Sequence, residues 1–169
     1  MGFFDKLFGG KSKDENTAKF TNQSKTVLTP LQGKVLAQAD IPDETFAQGI
    51  LGPGCGIEPT GDTVYAPFDG TVTQIATTLH AVGITSNDGI ELLIHVGMDT
   101  VDMKGQGFTV LVKEGQKVTA GTPLLKVDLD AIRAAGHPTA TAIIVTDGAD
   151  DVKMLAEGDV VPGTPLFKV

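Results

Sequence analysis

Two of the chain's three histidines, His80 and His95, stand fifteen positions apart around a short turn signal. Imidazole changes its charge near neutral pH, so it can act as a base, a metal ligand or a nucleophile. Four roles are open to such a pair. The rings could be structural hydrogen-bonding groups, half of a zinc shell, a general acid–base pair, or a phosphoryl carrier in which one ring attacks phosphorus and the other stabilises the phosphate.

The stretch Gly89 to Val101, GIELLIHVGMDTV, carries the second histidine. Its first part alternates like a strand over Ile90 to Val96, because successive side chains of a strand point to opposite faces. The apolar face consists of Ile90, Leu92, Ile94 and Val96 and should meet a core. His95 is on the other face, with Glu91 and Leu93.

A second strand over His80 to Thr85 precedes it, and Ser86-Asn87-Asp88-Gly89 between them favours a tight hairpin. A two-residue turn at Asn87-Asp88 would place His80 directly opposite His95. A turn at Asp88-Gly89 would make the rings diagonal neighbours on the same face. A loop with an odd number of residues, or a bulge, would break this pairing.

The residues around the pair favour the phosphoryl-carrier role. No convincing third or fourth zinc ligand is present: Glu91 is about two pairs away and His137 lies in a separate GHPT loop. The chain has no Gly-rich phosphate loop, no Walker pattern and no GxSxG motif. A hydroxyl such as Thr78 and backbone N–H groups around Gly97 could stabilise a transferred phosphate.

Composition excludes several classes of protein. The formal charge of −8 disfavours nucleic acid as a partner. The single cysteine, Cys55, cannot form an internal disulfide and is expected to be structural, which favours a reducing, cytoplasmic setting. No apolar run approaches the roughly 20 residues of a membrane span, and the start lacks a secretory signal.

Sequence repeats predict an all-β domain. A pattern of apolar residue, proline, two residues and glycine occurs at Val27–Leu36 and again at Val64–Thr73. A second pattern, EG…GTPL…KV, occurs at Glu114–Val127 and again at Glu157–Val169. Two copies of each fit a closed or sandwiched β-domain with internal pseudo-symmetry. One helix is predicted over Asp128–Ala135, ended by Gly136, and a buried strand over Thr141–Thr146.

The first 24 residues are predicted to be a flexible leader, with the domain spanning residues 25–169. Residues 9–24 are polar, and low hydrophobicity favours disorder. Near the start, Phe3, Phe4, Leu7 and Phe8 would share one side of a short helix with lysines nearby, which predicts a weak anchor on an anionic membrane surface. The alternative is a frayed terminus, because so short a helix is marginal in water.

Several motifs together resemble the glucose-type IIA proteins of the bacterial phosphoenolpyruvate-dependent sugar phosphotransferase system. The resemblance covers the chain from about residue 25 to the end. It is carried by GIELLIHVGMDTV at Gly89–Val101, DETFAQGILGPGCGIEPTG at Asp43–Gly61, APFDGTV at Ala66–Val72, TTLHAVGI at Thr77–Ile84 and KGQGF at Lys104–Phe108.

This resemblance implies a fold and a reaction. The fold is an antiparallel β-sandwich with at most one or two short helices. His95 is implied to be the phosphorylated residue, His80 its phosphate-stabilising partner and Thr78 a hydrogen-bonding support. Phosphate would come from a histidine of the phosphocarrier HPr and pass to a cysteine in the IIB domain of a sugar permease.

The resemblance also implies a docking surface and a limited need for other groups. Apolar contacts with partners are expected from Phe46, Ile50, Leu51 and Val101. No cofactor is required, although His80 and His95 could bind zinc if a partner supplied another ligand. Regulatory target proteins are further candidate partners. Ala76 and Gly83 replace phenylalanines of the enterobacterial members, and Gly49 replaces a common lysine.

A competing interpretation is a biotinyl or lipoyl carrier module. APFDGTV followed by EGQKVTAGTPLLKV also resembles such domains, in which a lysine on a hairpin between the halves carries the group. Lys104 lies between these stretches, but Gly105 follows it where methionine is usual. The chain is also about twice the size of such a module, and the histidine hairpin would have no role in it.

Overall fold

The computed structural model of the protein describes residues 17–169 and shows antiparallel strands with few helical turns. The strands are β1 (Thr26–Leu28), β2 (Gly33–Leu36), β3 (Gly54–Pro59), β4 (Thr63–Tyr65), β5 (Gly70–Ile75), β6 (Ala81–Ser86), β7 (Glu91–His95), β8 (Phe108–Val110), β9 (Lys117–Val118), β10 (Pro123–Val127), β11 (Thr141–Asp147), β12 (Lys153–Met154), β13 (Asp159–Val160) and β14 (Pro165–Lys168). The helical segments are a 3₁₀ helix at Gln38–Asp40, α1 (Glu44–Ala47), a 3₁₀ helix at Thr100–Met103 and α2 (Leu129–Ala134).

The strands form one large sheet and two small ones, and their pairings are antiparallel. The eight-stranded sheet has the order β13-β2-β3-β11-β7-β6-β5-β9, and the three-stranded sheets have the orders β1-β14-β12 and β4-β10-β8. Two short α-helices are present in residues 17–169. The predicted all-β antiparallel fold with at most two short helices is therefore confirmed.

The sequence repeats correspond to two equivalent sets of strand pairs. β1 pairs with β14 as β4 pairs with β10, and β2 pairs with β13 as β5 pairs with β9. The turns are held alike: the N–H of Gly163 donates to the Thr29 carbonyl at 3.0 Å, and that of Gly121 donates to the Ala66 carbonyl at 2.9 Å. The predicted pseudo-symmetry thus places matching sequence in matching positions.

Two apolar clusters pack on opposite faces of β7. The larger contains Ile90, Leu92, Ile94 and Val96, each at most 2% exposed, so the predicted core face of this strand is confirmed. A smaller cluster of Ile41, Phe46, Met98, Ala142 and Ile144 packs with Leu93 on the face that bears His95. Burial on both sides fixes the strand in the centre of the large sheet, where it offers a rigid base for a site.

The helix predicted after β10 is present with its expected caps. The Asp128 carboxylate accepts a hydrogen bond from the N–H of Ala131 at 3.0 Å, and α2 then runs over Leu129–Ala134. Gly136 has a φ of 84°, a left-handed conformation that ends the helix. The predicted strand that follows is β11, at Thr141–Asp147.

Residues 17–24, which fall in the predicted leader, lie against the domain. The N–H of Ala18 donates to the Pro162 carbonyl at 2.8 Å, and the rings of Phe20 and Tyr65 pack with centroids 5.6 Å apart. The predicted membrane-surface anchor lies outside the described residues. Residues 17–169 contain no helix with the length and apolar character of a membrane span.

Candidate active site: the paired histidines

The hairpin that brings the histidines together has a three-residue loop. The N–H of Ser86 donates to the Ile90 carbonyl at 2.8 Å, and Gly89 has a φ of 96°. A left-handed glycine at the third loop position is typical of this hairpin class. As a result Ala81, not His80, pairs with His95. Both predicted registers are wrong, because they assumed a loop of two residues.

The two rings nevertheless lie in contact. Their centroids are 4.7 Å apart with an interplanar angle of 82°. His80 precedes the regular part of β6, and Leu79 before it has a φ of 66°. The N–H of Leu79 donates to the Ala76 carbonyl at 2.8 Å, which closes a turn immediately before His80. This turn releases His80 from strand alternation, so its ring can reach the face of β7 that bears His95.

His95 is held in one tautomer by the backbone. Its Nδ1 lies 2.9 Å from the carbonyl oxygen of Gly97. A carbonyl only accepts hydrogen bonds, so Nδ1 must carry the proton, and a neutral ring then has its lone pair on Nε2. The contact of Gly97 with His95 is made by its carbonyl; the expectation that N–H groups around Gly97 stabilise a phosphate stays a prediction. This anchoring is what a nitrogen nucleophile needs.

His80 is held by a side chain. Its Nδ1 lies 2.9 Å from the Oγ1 of Thr78. A hydroxyl can donate or accept, so this contact is compatible with a proton on either ring nitrogen. When the hydroxyl donates to Nδ1, the proton is on Nε2 and can be donated to a phosphate oxygen. Thr78, singled out in the sequence, therefore lies where it can set the state of His80.

Aromatic rings enclose the pair. The centroid of Phe46 is 4.9 Å from that of His95, and the centroid of Phe108 is 6.3 Å from that of His80. Phe46 is only 6% exposed and belongs to the smaller apolar cluster, so most of its surface faces the protein. It offers little surface to a partner, and it limits the access of water to His95.

The surroundings keep both rings neutral. Burial lowers the pKa of His95 to about 4, with a further contribution from the neighbouring His80, while the Gly97 carbonyl and Asp43 oppose the shift. Burial also lowers the pKa of His80, opposed by a hydrogen bond with the backbone of Thr78. At neutral pH His95 is therefore uncharged, and its lone pair is available without the prior loss of a proton.

Asp43 was not identified as a site residue from the sequence. Its carboxylate accepts hydrogen bonds from the N–H groups of Thr45 at 2.9 Å and Phe46 at 3.3 Å, so it caps α1. The cap fixes the start of the helix that brings Phe46 to His95. The signal for it was present: an aspartate immediately before a short helix is a strong N-cap.

Exposed apolar side chains lie on two segments that are close in sequence to Phe46 and His95. Ile50 is 67% exposed, Leu51 41% and Val101 52%. Ile50 and Leu51 follow α1, and Val101 belongs to the 3₁₀ helix that begins five residues after His95. A cleft of about 760 Å³ runs beside Ile50 and Leu51 and is lined on its other side by residues 145–151. Of the predicted docking residues, these three are thus exposed while Phe46 is buried.

The described residues bear on two other kinds of site, a metal site and a prosthetic-group lysine. Among residues 17–169 no group of three histidine, cysteine or acidic side chains could hold a metal ion, so zinc bound by the histidine pair would need a ligand from outside these residues. Lys104 ends the 3₁₀ helix with a φ of 56° and lies between β7 and β8, which belong to different sheets. It is therefore not at the tip of a hairpin of paired strands, as the biotinyl or lipoyl interpretation requires.

Comparison with known proteins assigns the family. Residues 25–151 match the family described as phosphoenolpyruvate-dependent sugar phosphotransferase system, EIIA 1. The chain belongs to this family. Two curated EIIA relatives agree over most of their length: the glucose-specific EIIA component of Halalkalibacterium halodurans is 44% identical over 85% of this chain and 83% of its own. That of Bacillus cereus is 43% identical over 89% and 87%.

A solved structure confirms the sandwich of this EIIA 1 protein. The glucose permease IIA from Mycoplasma capricolum matches with a TM-score of 0.79 and 32% identity, covering 89% of this chain and 98% of that one. Other relatives are longer. The chain spans about a fifth of the glucose-specific EIICBA component of Streptococcus pneumoniae, to which it is 41% identical.

Proposed function

We propose that this EIIA 1 protein is a phosphoryl carrier in which His95 accepts phosphate from phospho-HPr and passes it to a cysteine of a IIB permease domain. The observation that carries the proposal is the anchored pair: two imidazoles with centroids 4.7 Å apart, each bonded through Nδ1 to a neighbouring group. This arrangement leaves both Nε2 atoms for phosphate.

In the first step the Nε2 lone pair of His95 attacks phosphorus. A new Nε2–P bond forms as the N–P bond to the donor histidine breaks, and the bonding electrons return to the donor's nitrogen. The proton on Nδ1 of His95 stays against the Gly97 carbonyl, which stabilises the positive charge that develops on the ring. Catalysis then needs little beyond alignment of the two rings with phosphorus.

In the second step the thiolate of the IIB cysteine attacks the same phosphorus, and the Nε2–P bond breaks. In this step His80 donates from Nε2 to a phosphate oxygen, while the Thr78 hydroxyl donates to its Nδ1. His80 is 7% exposed, so this hydrogen bond would form in a site from which most water is excluded. The balance between phosphate acceptance and onward transfer therefore depends strongly on His80, whereas the nucleophilic attack by His95 depends on it less.

Partners would dock on the exposed apolar side chains that frame the pair. Ile50, Leu51 and Val101 supply the apolar contacts, and docking must bring a donor or acceptor atom to Nε2 of His95. The same surface would serve HPr and the IIB domain in turn, and regulatory target proteins could compete for it. A zinc ion held by both histidines would need such a partner to supply further ligands.

The relatives support a IIB partner and are consistent with selection of the sugar by other domains. The matched segment occurs within longer EIICBA and EIIBCA components, named as glucose-, glucoside- and mannose-specific at 40–46% identity. Similar identity to components of different specificity fits a module that never touches the sugar. We expect sugar choice to reside in the permease, and this chain to work in the cytoplasm beside it.

Phosphorylation by a reconstituted relay tests the proposal. Phosphoenolpyruvate, enzyme I and HPr should add one acid-labile, base-stable phosphate, read by intact mass. His95→Ala should add none, whereas His80→Gln should accept phosphate and fail in transfer to a IIB domain. His137→Gln, which changes the histidine outside the hairpin, should behave as wild type. Normal labelling of the His95→Ala variant would refute the assignment.

A further inference from the structure

The carbonyl that holds His95 is carried by a sharply bent segment. Gly97 has a φ of 73°, which favours glycine, and its two flanking peptide groups are both held. Because a peptide group is planar and trans, the Gly97 carbonyl and the Met98 N–H lie in one rigid unit and point in opposite directions. The Met98 N–H donates to the Pro138 carbonyl at 3.0 Å, which secures that unit from the far side.

The other peptide group, between Val96 and Gly97, is held by Thr100. The Thr100 hydroxyl donates to the Val96 carbonyl at 2.6 Å, and Thr100 is fully buried. The N–H of Val96 donates to the carbonyl of His80 at 2.8 Å, which ties the start of the segment to the other histidine. A buried carbonyl with this short hydrogen bond has little freedom to rotate.

The methyl group of Thr100 also shapes the turn. A Cβ added to Gly97 would lie 2.5 Å from the Cγ2 of Thr100, so the methyl occupies the space that glycine leaves open. The hydroxyl therefore holds the peptide group before Gly97, and the methyl packs against Gly97 itself.

We propose that Thr100 is a positioning residue, whose buried hydroxyl fixes the Val96–Gly97 peptide and thereby the Gly97 carbonyl that keeps the proton of His95 on Nδ1. The role in transfer rests on the proposed function; the effect on the tautomer does not. Loss of the hydroxyl leaves the turn secured on the Pro138 side but not on the Val96 side. The Gly97 carbonyl can then move away from Nδ1, and the proton of His95 is shared with Nε2, which lacks its lone pair when protonated.

Two variants separate the hydroxyl from the methyl group in the full chain. Thr100→Val keeps the shape and removes the hydroxyl, whereas Thr100→Ser keeps the hydroxyl and removes the methyl. The ¹⁵N chemical shifts of the unphosphorylated protein report the His95 tautomer without any phosphate donor. Wild type and Thr100→Ser should hold the proton on Nδ1, and Thr100→Val should show a mixture of tautomers. The rate of phosphate acceptance from phospho-HPr should fall on the order of tenfold in Thr100→Val alone.

The outcomes distinguish this inference from the proposed function. A folded Thr100→Val with the wild-type tautomer would overturn the inference, even if phosphate transfer proceeds as proposed. If no variant accepts phosphate but the tautomer shifts as described, the inference stands and the proposed function fails. If Thr100→Val does not fold, Thr100→Ser decides: a wild-type His95 tautomer there supports the role of the hydroxyl, and a changed tautomer overturns it.

Discussion

His95 and His80 touch, yet the structure holds them in different ways. His95 ends a regular central strand and is bonded to a carbonyl, which accepts hydrogen bonds and cannot donate them. His80 follows a left-handed Leu79 and is bonded to a hydroxyl, which can do both. One ring therefore has a fixed tautomer, and the other can change its tautomer.

This difference matches two requirements of a carrier. The nucleophile must present a lone pair from one defined position at every encounter, and a carbonyl enforces that state. The stabilising ring faces a neutral site before phosphate arrives and a phosphorylated site afterwards. A hydroxyl partner can either donate or accept a hydrogen bond, so it lets that ring adapt to both states. Under the proposed function, the different hydrogen-bond partners of the two rings therefore distinguish their roles.

Gly97→Ala should have the largest effect on phosphate acceptance, because it disturbs the carbonyl that fixes the tautomer of His95. Alanine at a φ of 73° is strained, and its Cβ would lie 2.5 Å from the Cγ2 of Thr100. We expect a loss of about 3 kcal/mol of unfolding free energy, measured in urea. Phosphate acceptance should fall on the order of a hundredfold, because the carbonyl no longer meets His95.

Gly89→Ala is the matched control for this variant. Gly89 has a φ of 96° at the hairpin tip, but an added Cβ there meets no atom within 4 Å. Gly89→Ala should lower the free energy of unfolding by about 1 kcal/mol because of backbone strain, and it should keep the wild-type rate of phosphate acceptance. Equal loss of acceptance in both variants would show that hairpin strain, and not the Gly97 carbonyl, controls His95.

Thr78→Val should impair His80, whose tautomer can change, and spare His95, whose tautomer is fixed. The variant removes the hydroxyl 2.9 Å from Nδ1 of His80, so that ring loses the hydrogen-bond donor that favours the tautomer with its proton on Nε2. Acceptance of phosphate by His95 should stay within about twofold of wild type, and onward transfer should slow by about tenfold. Thr78→Ser should restore transfer. An equal slowing of both steps would contradict the division of roles.

The low pKa of His95 predicts how stability depends on pH. Its folded pKa of about 4 lies below the ordinary value of 6.5, so between these values the unfolded chain binds more protons and stability falls as pH falls. Burial is the main cause, and the loss from this ring between pH 7 and pH 5 should be about 2 kcal/mol. His95→Gln should lack this part of the slope in urea titrations, whereas His80→Gln should keep most of it. Parallel curves for wild type and His95→Gln would contradict the shift.

Substitution of the exposed docking residues should have the smallest effect on phosphate transfer. Val101→Ser or Ile50→Ser should raise the KM for phospho-HPr by about fivefold with little change in kcat, because each removes one apolar contact at a protein interface. Leu155→Ser is the control: Leu155 is 46% exposed and bonds to β14 in a sheet without the histidines. An unchanged KM in the Val101 and Ile50 variants would place docking elsewhere.

The sequence predicted what depends on local pattern and repeats. Alternation identified the core face of β7, and matching motifs identified equivalent strand pairs. The hairpin register was mispredicted because Asn87-Asp88-Gly89 suits loops of two or three residues. Packing on both faces of β7 selects the loop length and with it the register. Leu79 gave no signal, because a left-handed leucine is stabilised by its surroundings and opposed by its own propensity.

The sequence singled out residues that the structure brings together, but not the groups that hold them in place. His80, His95 and Thr78 were singled out, whereas the Gly97 carbonyl contact and the burial of Phe46 come from tertiary structure. The Asp43 cap had a local sequence signal that was missed. A backbone carbonyl has no sequence signature, and an aromatic residue beside a site could equally face a partner or the core.

The position of the phosphate tests the central claim most directly. The protein should be phosphorylated with phosphoenolpyruvate, enzyme I and HPr, and the bonded nitrogen should be identified by ³¹P and ¹⁵N NMR. Phosphate on Nε2 of His95, with the proton retained on Nδ1, is the result that the structure predicts. Phosphate on Nδ1 of His95, on His80 or on any other residue would contradict it.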